Sequence, residues 1–261
     1  MLPAELVAAF RPHLDGALIA LDFDGTLAPI VRDPATSRPA EGAIEALREL
    51  ASLGARIAVI TGRDARTVLE LGGLDAIPGM TVAGVYGAET WTSGELSSLP
   101  TPASIKQLRE RLPDTVAPAV AQGAWIEDKR LSLVVHARMA DDPDSALAAV
   151  REPVAALAGE LGLEVHDGRE VLEVRLPGYD KGAALRRLAG EPFASAVLFG
   201  GDDVGDLPAF SVLRELRAEG RPAWSVAAHS AEVPEISAAA DVSVDGPEGI
   251  VALLADLARS D

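Results

Sequence analysis

Residues 18–27 read LIALDFDGTL, an apolar run that contains branched side chains and ends in acids and a glycine. A short run of this kind predicts a strand buried on both faces, as in a parallel sheet. Two later runs, at 56–60 and 196–199, have the same character and end at Thr61-Gly62 and Gly200-Gly201-Asp202. Segments with helical spacing follow these strands. The sequence therefore predicts an α/β fold with a doubly wound, mostly parallel sheet.

The middle of the chain has a different pattern. Its candidate strands include alternating polar and apolar residues, and helical patterns separate them: residues 125–127, 131–137 and 171–176. This mixture predicts an inserted α+β domain, the insert, over residues 90–177. A Rossmann-like core is then formed by residues 1–89 and 178–261, and residues 93–102 resemble a linker in composition.

Charge and composition exclude several classes of protein. The 261 residues include 40 acidic and 23 basic side chains, for a formal net charge of −17. This excess of negative charge disfavours binding to nucleic acid or to an anionic membrane surface. The chain has no cysteine, so it has no disulfide, no thiolate metal site and no thiol nucleophile. We expect a cytoplasmic protein without a signal peptide or a membrane span.

Acidic residues follow the first strand and a late strand. Asp22 and Asp24 lie two positions apart, so in an extended chain their side chains point the same way. Ligands bind at the carboxyl ends of parallel strands, where Asp202 also lies. An oxygen cluster without His or Cys suits Mg²⁺ better than Zn²⁺. We predict that Asp22, Asp24 and Asp202 bind Mg²⁺, with Asp203 and Asp206 behind them. The alternative is that residues 22–25 form an ordinary acidic turn, which would explain Asp22 and Asp24 but not the later acids.

Three further residues could contact a phosphate. Lys181 follows Asp180, a candidate N-cap, so its ammonium lies in a first helical turn, where it opposes the helix dipole. A phosphoryl group nearby would explain this lysine, and an ordinary exposed lysine is the alternative. The Thr61 hydroxyl and the Gly62 amide could donate hydrogen bonds to a phosphate oxygen, although Thr-Gly is also a common turn.

Together these residues specify a phosphoryl-transfer site. Asp22 would attack phosphorus and form an aspartyl-phosphate, and Asp24 would protonate the leaving alcohol and later take a proton from water. A divalent ion, Thr61 and Lys181 would share the charge of the transferring group. A receiver-like phosphoaspartate signalling protein uses similar groups, but such a module needs about 120 residues and no insert. A catalytically silent sugar-phosphate binder would have lost its nucleophile, whereas Asp22 is present.

Four motifs resemble those of the haloacid dehalogenase superfamily of phosphatases. They are DFDGTL at 22–27, ITGR at 60–63, DKG at 180–182 and GDDVGD at 201–206. They occur in the order of the family and span nearly the whole chain, which makes the set specific. The resemblance implies an Mg²⁺-dependent phosphoric monoester hydrolase whose Rossmann-like core carries an inserted cap domain.

Other segments are similar to the trehalose-6-phosphate phosphatases within that superfamily: residues 22–30, 85–89, 127–129, 136–138 and 173–178. This similarity implies that the insert is an α/β cap that closes over the core and contacts the sugar. The implied sugar contacts are Glu127, Lys129, His136, Arg138 and Glu173. Two positions depart from the usual family pattern, since Gly205-Asp206-Leu207 replaces Thr-Asp-Glu and Ala137 replaces an aromatic residue.

The resemblance implies that trehalose 6-phosphate is hydrolysed to trehalose and phosphate. The alternative substrate is another sugar phosphate, such as sucrose phosphate or a glycosyl phosphoglycerate. The implied partners are the small-molecule sugar phosphate and a separate trehalose-6-phosphate synthase. The expected state of the protein is a monomer or a weak oligomer.

Overall fold

The computed structural model of the protein describes residues 1–168, 170–190, 193–229 and 234–259. In chain order, the strands are β1 (Leu18–Leu21), β2 (Arg56–Ile60), β3 (Thr81–Gly84), β4 (Glu89–Thr92), β5 (Glu95–Ser98), β6 (Trp125–Asp128), β7 (Ser132–His136), β8 (Glu164–Gly168), β9 (Val171–Arg175), β10 (Val197–Gly201), β11 (Ala223–His229) and β12 (Val242–Asp245). The helices are α1 (Pro3–Phe10), α2 (Ala43–Ser52), α3 (Ala65–Gly72), α4 (Ala103–Thr115), α5 (Ala117–Val120), α6 (Pro143–Glu160), α7 (Lys181–Gly190), α8 (Leu207–Ala218), α9 (Pro234–Ala239) and α10 (Gly246–Ala258). Within the described ranges, none of these helices has the length and apolar character to cross a membrane.

The chain forms two compact units, a core of residues 1–98 and 180–261 and an insert of residues 99–179. The core contains an eight-stranded sheet with the order β12-β11-β10-β1-β2-β3-β4-β5. The strands from β12 to β3 are parallel, and β4 and β5 are antiparallel additions at one edge. The strand order changes direction at β1, which is where ligands bind in open sheets of this kind.

Alternate side chains of β1 enter two separate apolar clusters of the core. Ile19 and Leu21 pack with residues of α1, α2, α3 and α10 on one face of the sheet. Leu18 and Ala20 pack with residues of α7 and α8 on the other face. A strand buried on both faces needs a continuous apolar sequence, which is the pattern that predicted this strand. The prediction of a doubly wound, mostly parallel sheet is confirmed.

The boundaries of the units differ from the predicted ones. The insert begins after Ser98 rather than after residue 89, and the chain returns to the core after Tyr179 rather than after residue 177. The first difference arises because β4 and β5 pair with the core sheet. The prediction of a linker at residues 93–102 is therefore wrong for β5, whose four exposed residues include a single apolar side chain, Leu96.

The insert contains an antiparallel sheet with the order β6-β7-β9-β8. One face of this sheet packs against α4 and α6 and supplies apolar residues to a separate cluster: Leu133, Val135, Leu172 and Val174. Residues that pair directly across strands share a face, and the pairs Trp125–His136, Glu127–Val134 and Val134–Glu173 lie on the opposite face. We call this the polar face, defined by Trp125, Glu127, Val134, His136 and Glu173.

Candidate active site

Three buried carboxylates meet at the carboxyl ends of β1 and β10. These strands are paired neighbours, and the backbone N–H of Asp22 donates to the carbonyl of Gly200 at 2.9 Å. Oxygen atoms of Asp22, Asp202 and Asp206 lie within 4.8 Å of one another, and all three residues are buried. The parallel pairing of the two strands therefore joins acids that are about 180 positions apart in the sequence.

The loop after β10 is organised around Asp206. The backbone N–H groups of Asp202 and Asp203 donate to Asp206 Oδ2 at 3.0 and 3.1 Å. A Cβ atom at Gly201 would lie 2.3 Å from the Asp206 carboxyl carbon, so a glycine is required there. The loop thus fixes Asp206 inside the carboxylate cluster. The sequence predicts a position behind Asp22 and Asp202 for this residue, whereas its carboxylate lies among theirs.

Lys181 is the first residue of α7, and its side chain is buried among the carboxylates. Its Nζ lies 2.7 Å from Asp206 Oδ1, 3.0 Å from Asp22 Oδ1 and 3.9 Å from Asp203 Oδ1. The predicted N-cap is confirmed, since Asp180 Oδ1 accepts a hydrogen bond from the Ala183 N–H at 2.7 Å. These ion pairs outweigh the unfavourable helix dipole and rule out an ordinary exposed lysine.

The protonation of this cluster is strongly perturbed. Burial raises the pKa of Asp22 and Asp202 to about 7, and that of Asp206 to about 8; nearby carboxylates add to each shift and Lys181 opposes it. For Lys181 burial acts to lower the pKa, but Asp206 and Asp22 outweigh it, so the pKa lies well above its usual value. A single ammonium does not neutralise three buried carboxylates, so the cluster would be stabilised by an additional positive charge.

The cluster could hold a divalent metal ion. Its donors are all carboxylate oxygens, which suit a hard cation. Thr26, whose role the sequence did not predict, is fully buried and donates from Oγ1 to Asp202 Oδ1 at 3.1 Å. Gly25 has a φ of +81°, and a Cβ atom there would lie 2.0 Å from Asp202 Oδ2. The DGT sequence therefore allows Asp202 to approach the first acidic loop and orients its carboxylate.

Asp24 does not join this cluster. Its two carboxylate oxygens accept hydrogen bonds from Arg63 Nε and Nη2 at 2.5 and 2.6 Å, and Ser37 Oγ lies 3.3 Å away. The prediction that the Asp22 and Asp24 side chains point together is wrong, because β1 ends at Leu21 and the chain bends before Asp24. The hydrogen bonds from Arg63 to Asp24 were also not predicted, although Arg63 is the last residue of the ITGR motif.

Thr61 and Gly62 lie at the carboxyl end of β2, in a loop that is held tightly. Thr61 is buried, and its Oγ1 accepts from the Arg63 N–H at 3.2 Å. Val85 and Tyr86 have φ values of 49° and 55°, and their N–H groups donate to the Arg63 and Thr61 carbonyls at 2.8 and 2.9 Å. Left-handed backbone at such residues costs of order 1 kcal/mol or more, so the surrounding structure enforces it.

The predicted sugar contacts lie in the insert, and the structure brings some of them together. His136 Nε2 lies 2.9 Å from Glu127 Oε2, and Lys129 Nζ lies 3.7 Å from the same oxygen. Glu173 lies on the same face, two strands from Glu127, and accepts from Ser132 Oγ at 2.6 Å. Arg138 follows β7 and is exposed, outside this group.

One known protein family matches residues in both units. A family model described as trehalose-phosphatase matches residues 20–248, which include the core motifs and the whole insert. The chain belongs to the trehalose-phosphatase family. The predicted resemblance is confirmed, and the family's match extends over both the carboxylate cluster and the polar face.

Relatives in this family come from several mycobacteria. The chain is 35% identical over 233 residues to a trehalose-phosphate phosphatase of Mycobacterium marinum, covering 81% of this chain and 56% of that protein. It is 33% identical over 260 residues to a trehalose-phosphate phosphatase of Mycobacterium leprae, covering 92% of this chain and 57% of that protein. The chain therefore spans little more than half the length of these relatives.

Solved structures of similar fold come from fungi. The C-terminal domain of Candida albicans trehalose-6-phosphate phosphatase superposes with a TM-score of 0.79 at 24% identity, covering 98% of this chain and 96% of that one. Aspergillus fumigatus trehalose-6-phosphate phosphatase superposes with a TM-score of 0.74 at 25% identity, covering 99% and 98% of the two chains. These similarities support the same fold in this chain.

Proposed function

We propose that the chain hydrolyses trehalose 6-phosphate to trehalose and phosphate through an aspartyl-phosphate on Asp22. The observation that carries this proposal is the buried group of Asp22, Lys181, Asp202 and Asp206 in a member of the trehalose-phosphatase family. Two mycobacterial relatives are trehalose-phosphate phosphatases, which supports the choice of substrate.

The first step forms a bond between an Asp22 carboxylate oxygen and phosphorus. The bond between phosphorus and the sugar oxygen breaks, and Asp24 gives its proton to the leaving alcohol. In the second step water attacks the same phosphorus, Asp24 takes a proton from it, and Asp22 is released with free phosphate. Thr61, Gly62 and Lys181 bind the phosphoryl oxygens and stabilise their charge in both steps.

Arg63 holds Asp24 in this structure, and Asp24 must leave this contact to carry a proton, because both of its carboxylate oxygens accept from the guanidinium. The two hydrogen bonds from its guanidinium fix both the distance and the plane of the carboxylate. Arg63 is in turn held by the carbonyl of Pro34, to which Nη1 donates at 2.9 Å. Release of Asp24 from Arg63 therefore precedes the proton transfer to the leaving alcohol.

We propose Mg²⁺ as the divalent ion, held by Asp22 and Asp202, with Asp206 completing the cluster. When bound, the ion would neutralise the negative charge of the transferring phosphoryl group. Asp206 also anchors Lys181, so it keeps the ammonium beside the nucleophile. A ligand role for Asp24, with its carboxylate turned to Arg63, stays a prediction.

Residues of the insert, on and beside the polar face, supply the sugar contacts in this proposal. Glu127 and Glu173 can accept hydrogen bonds from sugar hydroxyls, and Lys129, His136 and Arg138 can donate to them. Glu127 is oriented by His136 at 2.9 Å, which reduces the freedom lost when a ligand binds. The positive side chains would also offset the repulsion between an acidic protein and a dianionic substrate.

Another sugar phosphate, such as sucrose phosphate or a glycosyl phosphoglycerate, is the second candidate substrate. The observation that favours it is the pair of departures from the usual family pattern, at Gly205-Asp206-Leu207 and at Ala137. A receiver-like role loses its support, because the family match includes the insert. We further propose a cytoplasmic enzyme supplied with substrate by a separate synthase.

Phosphate release in the presence of Mg²⁺ tests this proposal. The panel holds trehalose 6-phosphate, sucrose 6-phosphate, glucose 6-phosphate and an aryl phosphate. We expect kcat/KM to be highest for trehalose 6-phosphate. Equal, slow rates on every substrate would keep the chemistry of Asp22 and reject trehalose 6-phosphate as the substrate.

A further inference from the structure

The polar face carries an aromatic side chain to which the family resemblance gives no role. Trp125 begins β6 and pairs across the sheet with His136. Its ring stacks on the imidazole of His136 with the centroids 4.1 Å apart and the planes inclined by 8°. The residue nevertheless remains 41% exposed. One ring face of the indole is therefore covered by His136, while much of the residue is open to solvent.

The Trp125 ring is held in place before any ligand arrives. It rests on the imidazole of His136, and that imidazole is fixed by its contact with Glu127 at 2.9 Å. A large ring with two rotatable bonds that already packs on a fixed neighbour loses little entropy on binding. Such rings contribute strongly to recognition when one side of them is open.

The groups around Trp125 combine apolar and polar contacts on one surface. The indole offers an apolar ring with a negative face, which attracts C–H groups. Glu127 lies two residues along the same strand, on the same face, with Lys129 Nζ 3.7 Å from its carboxylate. A pyranose ring has the matching surfaces, because its C–H groups form an apolar patch and its hydroxyls project from the rim. An apolar peptide would desolvate Glu127 and Lys129 and offer their remaining hydrogen-bonding atoms no new partner.

We propose that Trp125 is a stacking platform for a pyranose ring of the substrate and sets its specificity. This inference rests on the proposed function, since it assigns a residue to the recognition of the same sugar phosphate. A stacking contact of this type is worth about 0.5–1.5 kcal/mol, which corresponds to roughly a two- to twelvefold change in affinity.

Steady-state kinetics of Trp125→Ala and Trp125→Phe test the proposal. For Trp125→Ala we expect KM for trehalose 6-phosphate to rise about three- to tenfold, with kcat changed less than about twofold. An aryl phosphate lacks the pyranose ring, so its kcat/KM should stay within about twofold of wild type. Trp125→Phe keeps an aromatic face and should recover most of the loss. Phe193→Ala is the matched control. Phe193 is an exposed aromatic residue outside the insert that stacks on Arg221, so its loss should leave KM for trehalose 6-phosphate unchanged.

Three outcomes separate this inference from the proposed function. An unchanged KM for trehalose 6-phosphate in a folded Trp125→Ala protein overturns the platform and leaves the function intact. Equal losses on the sugar phosphate and the aryl phosphate overturn it as well, because they indicate a general structural role. A wild-type protein that hydrolyses the aryl phosphate but no sugar phosphate overturns both. Melting temperatures of all variants show whether each protein is folded.

Discussion

Lys181 and Lys129 are both paired with carboxylates, but they lie in opposite environments. The Lys181 side chain is 6% exposed and lies within 3.0 Å of two carboxylates in the core. The Lys129 side chain is 33% exposed, and its Nζ lies 3.7 Å from Glu127 in the insert. Charges removed from water interact strongly and are costly to leave unpaired, whereas exposed pairs contribute little to stability.

This difference in burial suits the core cluster to catalysis and the polar face of the insert to sugar binding. The core cluster is buried and densely charged, so it can perturb pKa values and stabilise a transferring phosphoryl group. The polar face is partly solvated, so its side chains can exchange water for sugar hydroxyls at small cost. Substitutions in the core should therefore affect all substrates alike, and substitutions on the polar face should affect only sugar phosphates.

The largest effect is expected for Asp22→Asn. An amide cannot act as the nucleophile, so turnover should fall by roughly 10⁴-fold or more on trehalose 6-phosphate and on an aryl phosphate alike. The fold should persist, since the change removes a charge that burial already disfavours. Phosphate release and circular dichroism measure the two effects. Retained activity in this variant would refute the mechanism.

The next largest effect is expected for Lys181→Gln, measured as stability in the presence of a chelator. Removing one partner of a buried pair leaves uncompensated charge, which costs about 3–5 kcal/mol. Urea unfolding gives the free energy of unfolding. The matched control is Lys106→Gln, which makes the same chemical change at an exposed position of α4. Similar losses in both variants would contradict the assigned importance of burial.

A smaller effect is expected in the pH dependence of stability. The pKa values of Asp22 and Asp202 are raised to about 7 and that of Asp206 to about 8, from a usual value of 3.8. These carboxyls bind protons more tightly in the folded state than in the unfolded state. Their contribution to stability is therefore present at low pH and lost as the pH rises from about 4 through 7 and 8.

We accordingly expect the melting temperature of the metal-free protein to fall between about pH 5 and pH 8. Mg²⁺ should remove most of this fall, because the ion replaces protons in the cluster. Asp202→Asn removes one titrating group and should make the metal-free curve flatter. A melting temperature that does not change with pH in excess chelator would argue against a buried, proton-binding cluster.

Much of the fold could be predicted from apolar patterns, because buried strands need continuous or alternating apolar residues. This holds for β1, β2 and β10 in the core and for β6, β7 and β9 in the insert. The strands that were missed include β3 and β11, which are largely buried inside the core sheet. Two others carry few buried residues: β5 is exposed along its whole length, and β8 has no buried residue. Pairing through backbone hydrogen bonds holds such strands without leaving a clear apolar pattern.

The site was predictable in part for a related reason. Strand ends indicated which acids would meet, since parallel strands place their carboxyl ends at one edge of a sheet. The direction of Asp24 was not predictable, because it depends on the residue at which β1 ends and on a contact with Arg63, 39 positions away. The contact from Thr26 to Asp202 joins residues 176 positions apart and leaves no local signal.

A moderate and selective effect is expected for Glu127→Ala. Loss of a charge-assisted hydrogen bond to a sugar hydroxyl costs about 1.5 kcal/mol, so KM for trehalose 6-phosphate should rise about tenfold. The KM of an aryl phosphate should change little, because it has no sugar to contact the polar face. Paired kinetics on the two substrates measure this. A KM that rises equally for both would count against sugar recognition by this face.

The smallest effect on stability is expected for Lys129→Gln, and it tests the comparison of the two lysines directly. The ion pair with Glu127 is long and partly exposed, at 3.7 Å, so its loss should change the free energy of unfolding by less than about 0.5 kcal/mol. The same variant should still raise KM for trehalose 6-phosphate, since the shorter, uncharged glutamine makes a weaker hydrogen bond to the sugar hydroxyls than the ammonium does. Lys129 would then contribute to recognition and almost nothing to folding, whereas Lys181 contributes to both folding and chemistry. A destabilisation as large as that of Lys181→Gln would contradict the comparison, because it would show that the contribution of a paired lysine does not depend on its burial.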